Sequence, residues 1–471
     1  MSRAKLSRNS LYWFSFLQVL SISFLPSIAR ATVYFVSNNG SNTNPGTDAA
    51  PFSTIKHGVS RLTAGDTLYV KAGTYSESIL SWETPIPNGI SWNKPVTIAA
   101  NPGDTVTILP PSGDAFFWIK DGQAKYLIID GFVIDGRYEA WHGVKLQSSD
   151  AQQNTRYVRI QNTEIKNTKE AALLLTTCKD CSSPGADPYD TFHEIINLNV
   201  HHAGDPINPQ GGNVNQGKYG VYSETSRNLI ERTEFHHNTG YGLHIYSAGK
   251  NASNHNIIRY NHVHHNNTLY NNGCGLISSS GVGDTVYGNI VHDNAHGICV
   301  SYRSTDALVY NNVVYNNHFD GITITDSTNR MTRVFNNTVY GNGHRGIHVH
   351  DDAKDAVIRN NISTANHVAQ ITFDASVQTT VTESNNFTGD PSFVDASSFN
   401  FALLKQSEAI DAGVILTEVP DDFEGNLRPQ GDSYDIGAFE FVAADVTPPA
   451  GRGTEVDSTF SGYSIAVIDD G

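Results

Sequence analysis

The stretch TGYGLHIYS, residues 239–247, brings Tyr241, His244 and Tyr246 onto one short segment. Imidazole and phenol groups are proton donors and acceptors in general acid–base catalysis. Elimination beside a carboxylate needs a base, an acid for the leaving oxygen and a group that neutralises the carboxylate. Tyr241 and His244 are the acid/base candidates for such a step. Tyr222 and Glu224, one repeat earlier, and Tyr246 are candidates for holding the substrate. A second set sits in HGICVS (296–301), DGITIT (320–325) and RGIHVH (345–350). There His296 and Asp320 form an alternative acid/base pair, Arg345 supplies a guanidinium for a carboxylate, and His348 completes the binding candidates.

A third set is made of imidazoles. His201, His236, His264 and His292 occupy one position in successive repeats and continue as Tyr315 and Tyr340, while His202, His237, His265 and Asp293 run beside them. Adjacent imidazoles ending on a carboxylate could hold zinc or copper. Stacked rings point the same way, however, and do not converge, so a structural or sugar-stacking ladder is the alternative and no metal site is assigned. The word HVHDD places the oxygens of Asp351 and Asp352 beside His350, which could bind calcium or form an ordinary acidic turn.

What positions these residues is a repeat. Units of the form N-x-apolar-apolar-x-N…G-apolar-x-apolar begin near Tyr126, Tyr157, His193, Asn228, Asn256, Thr285, Leu308, Arg333 and Ala356. Each is read as a strand such as VVYNN or TVYGN leading to a second strand such as GITIT or GIHVH, with no room for a helix. The column Asn261, Asn289, Asn312, Asn337, Asn361 recurs at intervals of 28, 23, 25 and 24 residues, which suits a coil of strands whose loops can lengthen. The fold class is therefore all-β, a right-handed parallel β-helix. Asn side chains would hydrogen-bond along the stack. Strand alternation sends Ile298 and Val300, Ile322 and Ile324, and Ile347 and Val349 into the core. The residues between them should face solvent as a column Lys145, Tyr222, His244, Ile277, Cys299, Thr323, His348. The residue before each glycine forms a neighbouring column: His142, Tyr219, Tyr241, Cys274, His296, Asp320, Arg345.

The ends differ from the middle. Residues 1–31 carry Arg3, Lys5 and Arg8, an apolar run from Leu11 to Leu25 and Ala29-Arg30-Ala31, the pattern of a signal peptide, so secretion or cell-surface display is expected. Removing the leader's four cations takes the net charge from −16 to −20, which argues against nucleic acid. No later run is long enough to span a membrane. Residues 32–125 are read as an N-terminal cap and first coils, with Phe52, Ile55, Val59 and Leu62 on one face of a capping helix. Residues 126–385 form the repeats, 386–442 a C-terminal cap, and 443–471 a linker with the opening of a further, discoidin-like module. A monomer is expected. Cys178 and Cys181 suit a local disulfide in an exported chain. Cys274 and Cys299 lie three places out of register, so a bond between them should need backbone movement.

Over residues 33–440 the repeats and both ends resemble the pectin-lyase-like superfamily of secreted β-helix proteins. TVYFVSNNGSNTNPGTDAAPFSTIKHGVSRLTAGDTLYVKAGTY is similar to the N-terminal cap of its polysaccharide lyases, and SEAIDAG…GNLRPQGDSYDIGAFE to the tail of bacterial surface β-helix proteins. AHGICV resembles the G-H-G word of polygalacturonases at His296, and FDGITI their T-D-G word at Asp320, which would give Arg345 the uronate-binding part. No G-D-D word exists, the order differs, and this column offers one carboxylate where an inverting hydrolase uses two. Metal-independent uronate lyases use Tyr/His pairs, which the resemblance would place at Tyr241 and His244. The implied function is a lyase or hydrolase acting on an acidic, uronate-containing polysaccharide, with lyase favoured. A non-catalytic, carbohydrate-binding surface solenoid is the rival reading.

Overall fold

The computed structural model describes residues 31–120, 122–148, 155–177, 190–205, 218–247, 253–267 and 273–442. The expected leader, the Cys178–Cys181 pair and the 443–471 segment lie outside these residues.

Each coil closes through three short strands, one more than the repeat suggests. Leu308–Tyr310, Val313–Tyr315 and Ile322–Ile324 make up one coil. The strand that the sequence blurs is the first, because Leu308–Tyr310 and Val313–Tyr315 are separated only by the bend at Asn311 and Asn312. Asn311 takes a left-handed backbone at φ 50°, as do Asn336 and Asn360, a conformation asparagine tolerates better than most residues. Stacked coils form three parallel sheets of 13, 11 and 11 strands, here called sheets 1, 2 and 3 in the order the chain visits them within a coil as 1, 3, 2. The repeat units begin within a residue of the sheet 1 strands. Sheet 2 carries the glycine words and sheet 3 the histidines. The solenoid is the right-handed parallel β-helix that the repeats imply.

One continuous core runs through the coil. Ile298, Val300, Ile322, Ile324, Ile347 and Val349 are all fully buried, as strand alternation requires. Buried Asn ladders hold the bends: Asn261 Nδ2 donates to Asn289 Oδ1 at 3.0 Å, and Asn289 to Asn312, Asn312 to Asn337 and Asn337 to Asn361 at 2.9 Å each. The second amide hydrogen reaches a backbone carbonyl, as Asn312 does to Val286 at 3.0 Å. Every polar group of the ladder is thus satisfied away from water, which is the condition for burying it. A second ladder, Asn238, Asn266, Asn294, Asn317, Asn342 and Asn366, holds the bend after sheet 3.

The helix Ile55–Val59 is capped by Thr54, whose side chain accepts from the His57 amide, and Phe52, Ile55, Val59 and Leu62 all join the core. At the other end, an antiparallel pair, Phe393–Asp395 with Asn400–Leu403, lays Phe399 and Phe401 against Tyr315, at ring separations of 4.4 and 5.6 Å. The following segment packs Leu416, Val419 and Tyr434 on Tyr310 and Phe335. It is anchored by Arg428 and Glu440, a fully buried ion pair.

Candidate active site on sheet 2

The glycine words bend the strands of sheet 2. A Cβ on Gly297 would lie 2.3 Å from Gly321 O and 2.6 Å from Val314, so position 297 faces inward as Ile298 does. Two consecutive inward positions fold the chain, and the flanking outward residues, 296 and 299, converge. The same bend in each coil brings the pre-glycine column against the outward column. Tyr241 and His244 rings consequently sit 4.6 Å apart, and Tyr219 and Tyr222 5.2 Å apart.

This geometry corrects two expectations. Cys274 and Cys299 are bonded, with Cα atoms 6.1 Å apart, because the bend closes the three-residue offset that a straight strand would leave open. The outward column is also not solvated throughout: Ile277, Cys299, Thr323 and His348 are buried under the neighbouring column. The register further inserts Leu174 between Lys145 and Tyr222 and extends the column to Trp118.

The disulfide divides the outer face of sheet 2. On its N-terminal side His244 is surrounded by tyrosines: Tyr241 at 4.6 Å, Tyr219 at 5.0 Å, Tyr222 at 5.1 Å and Tyr246 at 5.5 Å between ring centres. Burial lowers the His244 pKa to about 3, so the imidazole is neutral at neutral pH. Its Nδ1 is buried and has no hydrogen-bond partner among the described residues. Burial raises the tyrosine hydroxyls, Tyr219 to about 12 and Tyr222 and Tyr241 in the same direction, so all remain protonated. Glu224 accepts from the Thr176 hydroxyl. Further along, the Lys145 ammonium lies 4.0 Å over Trp118, and Trp82 meets Trp118 edge-on at 5.2 Å. Sequence reading missed both tryptophans because the first coils lack the repeat word.

On the C-terminal side the face is ionic. Asp320 is buried and accepts from the Arg345 amide at 2.9 Å, lies 2.9 Å from His344 Nδ1, 3.4 Å from His348 Nδ1 and 3.9 Å from the Arg345 guanidinium. Burial alone would raise this carboxyl, but the nearby His348 imidazole and the bonds from the Arg345 amide and His344 outweigh it and hold it far below the usual range. His348 Nε2 contacts Asp374 at 3.1 Å, so one imidazole bridges two carboxylates. Asp374 was invisible to the repeat, which fades at that coil. His296 is packed on Phe319 at 5.0 Å, and its Nδ1 faces the Asp320 amide at 3.4 Å rather than the carboxylate. The structure therefore unites Tyr222, Tyr241, His244 and Tyr246, and separately Asp320, Arg345 and His348.

Residues 189–363 match the family described as right handed beta helix region. The resemblance to the pectin-lyase-like superfamily holds at the level of fold. Solved structures with the same architecture include XylC in complex with xylose (12% identity, 87% of this chain and 98% of that one, TM-score 0.57). Another is the GH136 lacto-N-biosidase of Eubacterium ramulus (12% identity, 76% and 67% coverage, TM-score 0.53). A third is the pectate lyase Pel9A (15% identity, 88% and 97% coverage, TM-score 0.50). No curated protein matches the chain in sequence. Among the described residues, no helix is long and apolar enough to cross a membrane.

Proposed function

We propose that the chain is an exported polysaccharide-processing enzyme whose reactive centre is the His244–tyrosine cluster, cleaving a uronate-containing glycan by β-elimination. The observation that carries this reading is a neutral, partly exposed imidazole set among protonated phenols. A neutral His244 can take the proton beside the substrate carboxylate, and the Tyr241 hydroxyl, still holding its proton, can give one to the leaving oxygen. Tyr222 and Tyr246 flank the same imidazole, Glu224 follows on the Tyr222 strand, and Lys145 and Trp118, three and four coils from His244, offer a cation and an aromatic platform for more distant sugars. Arg345 lies further along, near Asp320, and suits a uronate bound there rather than the reacting one.

A second reading rests on the Asp320–His348–Asp374 bridge. Two carboxylates flanking one imidazole suit hydrolysis, and Asp374 is the more exposed of the two.

The test incubates the mature chain with pectic, alginate and glycosaminoglycan polymers, with calcium or with chelator, and follows unsaturated-uronate absorbance together with reducing ends. Rising absorbance that disappears in His244→Ala supports elimination. Reducing ends without absorbance, lost in Asp374→Asn, move the chemistry to the ionic half. Silence on every polymer, with binding retained, leaves a carbohydrate-binding solenoid.

A further inference from the structure

Sheet 3 bears the histidine columns, and their geometry is regular. His201, His236, His264 and His292 stack at 4.6, 5.2 and 5.2 Å with nearly parallel planes, and Tyr315 continues the stack at 4.7 Å. Parallel rings do not converge, as the sequence suggests. The exception involves His262, which lies outside both columns. On the strand His262–His264 only Val263 points inward, so both imidazoles project from one face, and Glu234 stands directly beside His262 on the preceding strand. Glu234 Oε1 lies 3.0 Å from His264 Nε2 and 3.9 Å from His262 Nδ1. One ligand atom from each of the three lies within 4.8 Å of the other two, the only such group among the described residues.

Proton placement gives an independent argument. His292 Nδ1 faces the Asp293 carboxylate at 2.6 Å, so that nitrogen carries the hydrogen and Nε2 is bare. His262 Nε2, 2.7 Å from His292 Nε2, must then donate to it. That leaves His262 Nδ1 as a lone pair turned toward an ionised carboxylate, with no proton between them. His264 Nδ1 meets His265 Nδ1 at 2.9 Å, so its hydrogen can move to that side and free Nε2 as well. The result is three lone pairs and one negative charge around a single point. His264–His265 and His262–His292 supply the outer hydrogen bonds that orient metal-binding imidazoles.

We propose that Glu234, His262 and His264 form a binding site for a borderline divalent transition ion of the zinc or copper class, on sheet 3 and independent of the sheet 2 residues. Two imidazoles and one carboxylate fit zinc, with a fourth position left open. The nitrogen donors disfavour calcium, which takes oxygen ligands. The site is accessible, since the side chains of His262 and Glu234 are 44% and 43% exposed.

The test uses the full mature chain, without an affinity tag and stripped with chelator, titrated calorimetrically with zinc chloride and, as control, calcium chloride. One zinc per chain is expected, with Kd raised at least about tenfold in Glu234→Gln and in His262→Asn and unchanged in His237→Ala, whose ring belongs to the ladder alone. Copper-loaded chain should show two coupled nitrogens by electron paramagnetic resonance, falling to one in His262→Asn. Far-UV circular dichroism confirms that each variant is folded. No stoichiometric zinc binding, or binding that survives both ligand variants but is lost in His237→Ala, overturns the proposal.

Discussion

The two halves of the sheet 2 face share one backbone, one register and one bend, yet they have opposite electrostatic characters. Around His244 the column residues are aromatic, and burial holds His244, Tyr219, Tyr222 and Tyr241 in their neutral forms. Around Asp320 the same column positions carry His348 and Arg345, and mutual hydrogen bonds outweigh burial and keep the carboxylate charged. Position in a β-helix therefore fixes where a side chain points, while its neighbours one coil above and below fix its protonation state.

Each half can be broken separately. The largest expected effect is on rate: His244→Ala and Tyr241→Phe should each lower turnover by about 10²–10⁴-fold, the usual worth of a positioned acid or base, with circular dichroism unchanged. Asp320→Asn should instead act on the fold if elimination is the chemistry. Next, Cys274→Ser with Cys299→Ser should lower stability by about 3 kcal/mol, from the loop-closure entropy of a loop this size, measurable by denaturant melts, and should loosen the boundary between the halves. Asp320→Asn should follow at about 1.5–3 kcal/mol, the range for hydrogen bonds to a charged group.

Acidification should separate the halves by pH. His244 and His193 are lowered to about 3 and His142 to about 4, all chiefly by burial, from an unfolded value of 6.5. Between these values the unfolded chain binds more protons than the folded one, so stability falls as pH drops from 6.5 toward 3. Asp320 is shifted down from 3.8, so its contribution is complete above that value and is lost only below it. Melting temperature against pH should therefore decline first in a phase that His244→Phe reduces, and later in one that Asp320→Asn reduces. A single carboxylate-range transition untouched by His244→Phe would contradict this order. The smallest effect is expected at Trp118→Ala, about 2–10-fold on KM, corresponding to roughly 0.5–1.5 kcal/mol for one aromatic contact, with kcat unchanged.

Periodicity made most of the architecture legible. The Asn column, the inward Ile and Val pairs and the stacking of His201 with His236 follow from spacing alone, because a parallel coil puts equivalent residues one strand apart. Where the repeat word is absent or fading, the sequence was silent: Trp82 and Trp118 in the first coils and Asp374 in the last have no column to announce them. Glu234 and His262 were hidden for another reason: they share a column, but its residues run Asn199, Glu234, His262, Ile290 and change type at every coil, so no repeated letter marks it.

By itself the sequence determined that the chain coils, which residues face inward and which share a column. Tertiary structure decided what those columns do to one another. A linear repeat cannot express the bend made by two consecutive inward positions, and that bend joins Cys274 to Cys299, seats His244 against Tyr241 and buries Asp320. Burial then sets which of these groups are neutral and which are charged, a property of surroundings that no residue carries alone.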